Sequence, residues 1–171
     1  MTADPVAAAR REKSAYVVHA GDEDRPLGSF LVLMGAYGAA VAGLAGLVAA
    51  RGARLPERVD LADLALLAVA THKVSRTLAK DPVTSPLRAP FTRFRGQSGE
   101  AELAEEPRES GPRKAVGELV TCPFCLGQWV ATGLAFGLVL APRATRLAPT
   151  TMTALTLADA LQFAYAKLEE A

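Results

Sequence analysis

The sequence predicts an all-α, polytopic membrane protein of four transmembrane or membrane-embedded helices joined by a long irregular cytoplasmic loop. Two runs of 24 residues, Leu27 to Ala50 and Leu119 to Pro142, contain no charged side chain. Each is long enough to cross a bilayer as a helix. Charge gathers elsewhere, chiefly between Thr71 and Glu118. In a four-span threading with both ends inside, fourteen of the 19 Lys and Arg lie on the inner side. That matches the cationic excess of short cytoplasmic loops.

Composition narrows the reading further. A chain of 171 residues allows one domain, and half its residues are hydrophobic although only 6% are aromatic. A net charge of +1 provides no general drive toward nucleic acid, so none is expected as a partner. Residues 1–26 hold Arg10, Arg11, Asp22, Glu23, Asp24 and His19, and read as a polar, solvated, mobile tail. Behind it, residues 27–168 form a single membrane domain. The run at Leu27 is not a cleaved signal, whose apolar region would span about 7–15 residues and lie at the very N-terminus.

The helices follow in order. The first covers 27–50. The second, 61–80, begins apolar but contains Asp63 and ends in His72, Lys73, Arg76 and Lys80. Those four share roughly a 100° arc, a cationic face whose long side chains reach the headgroups. The third covers 121–141, with Thr121 as its N-cap and Pro123 in its first turn. The fourth, 147–168, is interrupted only by Asp159 and Lys167. Asp63 and Asp159 are the carboxyls inside these spans; pairing with each other or with His72 is one reading, and caps at hydrated helix ends the other. Small residues recur at every fourth position, as in Gly35-Ala39-Gly43, Ala42-Gly46-Ala50 and Gly133-Gly137. Such spacing lets membrane helices approach closely, within one subunit or in a homo-oligomer.

The loop, 81–120, has two textures. Pro82, Pro86 and Pro90 interrupt any continuous helix. Leu87, Phe91 and Phe94, flanked by Arg88, Arg93 and Arg95, read as a strap along the headgroups: first of all a basic loop anchored by its aromatics, or else a site for an anionic lipid or a partner. The acidic run Gly99 to Glu106 then either pairs with this basic strap or gathers a divalent cation, though it lacks the glycine-punctuated spacing of a calcium loop.

The only two cysteines stand in Thr121-Cys122-Pro123-Phe124-Cys125-Leu126-Gly127-Gln128-Trp129, beside the only tryptophan. On a helix, Cys122, Cys125 and Trp129 share a face. Three readings stay open. C-x-x-C supplies half of a tetrahedral zinc site, with His72 or a loop carboxylate completing it. It also suits thiol redox chemistry, with Cys122 at the helix start as the more acidic thiol. Or the two small side chains simply pack under the loop. Zinc is thus the one candidate cofactor. No phosphate loop, H-E-x-x-H or G-x-S-x-G motif occurs, and no catalytic residue is nominated.

Taken together, Arg76-Thr77-Leu78, Asp81-Pro82-Val83-Thr84-Ser85-Pro86-Leu87-Arg88-Ala89-Pro90-Phe91 and Gly117 to Trp129 give the chain a resemblance. It resembles a bacterial family of small integral membrane proteins catalogued as a domain of unknown function, some of whose members carry a sporulation label. The resemblance covers roughly Leu61 to Leu140. It implies a membrane location and marks Asp81, Arg88, Glu118, Cys122, Cys125 and Trp129 as motif positions, without implying a reaction.

Overall fold

A computed structural model describes residues 25–108 and 111–169, together with Val6 and Arg10. The expected N-terminal tail, His19 included, lies almost wholly outside the described residues. Among the described residues from Arg25 onward, six α-helices, one 3₁₀ turn and one β-hairpin are formed, and the described chain is mostly helical.

Helix α1 spans Leu27–Ala50. It ends where Gly52 adopts φ 59°. The Gly52 N–H donates to the Ala49 carbonyl and the Ala53 N–H to the Val48 carbonyl. This left-handed stop satisfies carbonyls that the helix itself leaves open, and only glycine enters it without strain.

Helix α2 spans Leu61–Lys80. Asp60 caps it, its carboxylate accepting the Ala62 N–H at 2.8 Å. It stops at Asp81, which precedes Pro82 and is therefore held extended at ψ 141°.

The segment expected to be an irregular loop is ordered, and the all-α description is corrected accordingly. A 3₁₀ turn, Pro82–Thr84, leads into the short helix α3, Ser85–Arg88. Strands β1, Thr92–Gly99, and β2, Glu102–Pro107, pair antiparallel, with Arg93 opposite Glu106 and Phe94 opposite Glu105. Irregularities after Phe94 and Gln97 coincide with Gly96 at φ 135°. Helix α4 follows as Gly111–Thr121. Charge complementarity explains the hairpin: a basic strand faces an acidic one across a Gly-Glu-Ala turn.

Helix α5 spans Pro123–Leu140 and helix α6 Pro142–Glu169. Thr121 closes α4 instead of capping α5; the cap is Cys122, and Thr121 donates its hydroxyl to the Gly117 carbonyl. Helix α6 begins five residues before the expected 147 because Pro142 fits a first turn. It runs through a buried Pro149, which removes one internal N–H bond.

Helix α2 is the centre of the bundle, with α5 and α6 against it and α1 outside α5. Two ion pairs set α2 and α6 parallel: Asp63 with Arg146 and Lys73 with Asp159. The one-residue connection at Ala141 makes α5 antiparallel to α6. Tyr37 of α1 meets Trp129 of α5 edge-on, centroids 5.1 Å apart, and its hydroxyl lies 2.7 Å from Thr132 Oγ1. With Arg25 beside Glu118 at 3.7 Å, this aligns α1 parallel to α5. Consequently the start of α1, the end of α2, the hairpin, α4 and the start of α5 gather at one end.

The small-residue expectation is only partly met. A Cβ on Gly35, Gly43, Gly46 or Gly133 would meet nothing within 4 Å, so these do not serve contacts within the chain. Gly137 does, because a Cβ there would stand 2.7 Å from Thr145 Oγ1 at the α5–α6 turn.

Helices α1 and α5 are long and apolar enough to cross a membrane. Among the described residues the buried hydrophobic side chains are Val48, Ala70, Ala79 and Ala115, all small or medium. Leu31, Val32 and Met34 on α1 point outward. The largest fully buried side chains are instead Arg88 and Pro149.

Candidate functional site

Arg88 is the largest charged side chain fully buried in the described chain, 1% exposed. The sequence places it among headgroup-facing cations; the structure turns it inward. Its Nε donates to Glu105 of β2, itself 5% exposed. Its Nη1 donates to the Leu78 carbonyl at 2.8 Å and the Thr84 hydroxyl at 2.6 Å, and its Nη2 to the Asp81 carbonyl at 3.0 Å. Arg88 thus takes up the open carbonyls at the C-terminus of α2, where a cation also meets the negative end of the helix dipole. Thr84 adds a hydroxyl bond to the Thr77 carbonyl. The guanidinium fork suits this role because it presents five donors in a fixed plane.

The neighbouring backbone is consumed in the same way. Thr92 donates to the Arg88 carbonyl at 3.0 Å, and Arg108 donates through Nε to Pro90 and through Nη2 to Ala89. Helix α4 lies on this turn through Gly117, where a Cβ would come within 2.7 Å of the Phe91 carbonyl oxygen and 3.0 Å of Pro107. Only a hydrogen fits. The proline-rich strap is therefore a locked junction between α2, the hairpin and α4.

The acidic run pairs with basic side chains, as one reading of the sequence expects. Glu102 takes Arg76, Glu105 takes Arg88, and Glu106 takes Arg95 at 2.6 Å. The other reading, a gathered cation, finds no geometry: among the described residues no three His, Cys, Asp or Glu side chains stand close enough to hold a metal. The cationic face of α2 is largely neutralised, since Lys73 donates to Asp159 at 2.6 Å and Arg76 to Glu102. Asp63 pairs with neither Asp159 nor His72. Arg146 embraces it through two bonds, 2.8 and 2.7 Å.

His72 is placed away from the cysteines, on the wall of a cavity of about 900 Å³ between α2, α6 and the hairpin turn. Lys73, Arg76, Asp81, Glu102 and Phe163 also line it.

The structure does bring Cys122 and Cys125 together. Cys122, at the N-cap of α5, accepts the Cys125 N–H at 3.2 Å through its sulfur, and the Cys125 thiol donates to the same sulfur at 2.8 Å. Both are free thiols, Cys122 half-buried and Cys125 exposed. Phe124 between them is 92% exposed. Trp129, which the sequence puts on the same face, stands against Tyr37. Glu118 reaches Arg25 at the start of α1. Tyr37 is the participant that sequence reasoning missed; a tyrosine midway along an otherwise apolar run was the available signal.

Fold and site define a small, mostly helical protein with two candidate membrane-crossing helices and an ordered polar head at one end. Residues 66–165 match the family described as protein of unknown function (DUF1360). The chain belongs to that family. It is also similar to a sporulation protein of Bacillus subtilis (strain 168), YjcA, with 30% identity over 84 residues, which is 47% of this chain and 71% of that protein. No solved structure is significantly similar.

Proposed function

We propose that the chain is a four-span integral membrane module whose segment between α2 and α5, described for 81–108 and 111–121, forms a cytoplasmic head that engages a protein partner or lipid. One observation carries the reading: the apolar surface faces outward. A soluble chain of this size would bury large aliphatic side chains, whereas here the long apolar helices α1 and α5 are almost entirely unburied within the chain. Lipid is the solvent that suits them.

The pairing of Asp63 with Arg146 and of Lys73 with Asp159 supports extending the reading to α2 and α6. Charges that would oppose insertion are paired from one helix to the other. At 20 and 28 residues, these helices extend about 30 and 42 Å at 1.5 Å per residue. A second copy of the chain would meet α1 along the outward Gly35, Ala39 and Gly43.

An alkaline carbonate wash of membranes from cells making the protein tests the reading. Retention in the pellet and release only by detergent is the expected result, and release by the wash alone contradicts it.

The second reading is thiol or zinc chemistry at Cys122 and Cys125. What favours it is the 2.8 Å separation of the two sulfurs, with Cys122 half-buried and Cys125 exposed. Elemental analysis of protein purified without chelators tests the metal branch: bound zinc absent from a Cys122→Ser/Cys125→Ser variant supports it, and none in either, with two free thiols in the native protein, removes it.

A further inference from the structure

We propose that Cys122 and Cys125 form a thiol–disulfide exchange pair in which Cys122 attacks a substrate disulfide and Cys125 resolves the adduct. This rests on the thiol branch of the second reading above and gives each sulfur a role.

The assignment follows from the asymmetry of the pair. Both donors point at one sulfur: the Cys125 N–H and the Cys125 thiol each reach Cys122 Sγ. Negative charge on Cys122 Sγ is therefore met by two hydrogen bonds and by the positive end of α5. Pro123 at the first helical position fixes the turn that holds this arrangement. Cys125 then stands one helical turn along, with its sulfur 2.8 Å away. A covalent bridge requires about 2.05 Å. Cys122 is half-buried and Cys125 exposed, so the pair lies at the protein surface.

The chemistry balances as two displacements. Cys122 gives up its proton and its sulfur attacks one sulfur of the substrate disulfide; that S–S bond breaks, a Cys122–substrate bond forms, and the first substrate sulfur leaves as a thiolate that takes up the released proton. Cys125, losing its proton, then attacks Cys122 Sγ. The mixed disulfide breaks, the Cys122–Cys125 bond forms, and the second substrate thiol leaves with the second proton. Two electrons pass from the dithiol to the substrate. The substrate class is a disulfide, carried by a small molecule or by a protein.

The test uses detergent-purified full chain with reduced cysteines, and glutathione disulfide and a disulfide-cyclised peptide as probes. The native chain is expected to release two thiols per molecule, keep no adduct and acquire a Cys122–Cys125 bridge. Cys125→Ser should stop at one stable adduct on Cys122. Cys122→Ser, which keeps a capping oxygen, should react at Cys125 at least tenfold more slowly. Mass mapping of the first adduct on native protein, with probe below one equivalent, gives the same assignment without any substitution. The faster probe identifies the source of the disulfide. Equal rates for the two single variants, or a first adduct on Cys125, overturn the assignment while leaving a working dithiol. Two retained adducts without a bridge overturn the dithiol as well.

Discussion

Arg88 joins three elements with one side chain, and its environment makes its contribution measurable. Removing it leaves the Glu105 carboxylate buried without a partner and reopens the carbonyls of Leu78 and Asp81. Arg88→Met is expected to destabilise the protein by about 3–5 kcal/mol in denaturant unfolding, the usual range for an orphaned buried charge. Arg88→Met with Glu105→Met should recover much of that loss; a double variant as unstable as the single would assign the stabilisation to the carbonyl bonds. Gly117 is the second position of this kind. Gly117→Ala forces a methyl against the Phe91 carbonyl and should lower stability by about 1–3 kcal/mol. Neither role could be read from the sequence alone. Arg88 stands in the chain beside prolines and aromatics like any interfacial cation, and only its partner 17 residues away reveals the burial.

At the scale of elements, legibility followed the source of order. Helix α1 was readable end to end because local features define it: an uncharged run and a glycine that must take positive φ. The hairpin and α4 were not, because pairing between distant residues makes them. Their signal was present as a basic strand, Arg93 and Arg95, ahead of an acidic one, Glu102, Glu105 and Glu106, with a short turn between. The same holds for the ion pairs of α2. Asp63 and Lys73 look like obstacles to a span until Arg146 and Asp159 are seen opposite them. If these pairs set the register of α6 against α2, exchanging charges should be tolerated better than removing one. Lys73→Asp is expected to lower the thermal midpoint, and Lys73→Asp with Asp159→Lys to restore most of it. A double variant that melts below both singles would mean that the pair does not set the register. The cysteine site divides similarly: its spacing was legible, while the cap geometry that distinguishes the two sulfurs was not.

For the whole molecule, the direction of the apolar side chains is the decisive property. Among the described residues Asp63, Arg88 and Lys114 are buried while Leu31, Leu61, Leu64 and Leu161 face outward, and the two helices long and apolar enough to cross a membrane both begin at the end that carries the head. The proposed four-span reading then assigns each loop a side. In a Cys122→Ser/Cys125→Ser background, Glu57→Cys reports the connection between α1 and α2, and Ser98→Cys reports the hairpin; both positions are exposed. A membrane-impermeant thiol reagent applied to intact cells or spheroplasts should label Glu57→Cys at once and Ser98→Cys only after permeabilisation. Labelling of both positions from the same side would contradict the four-span account.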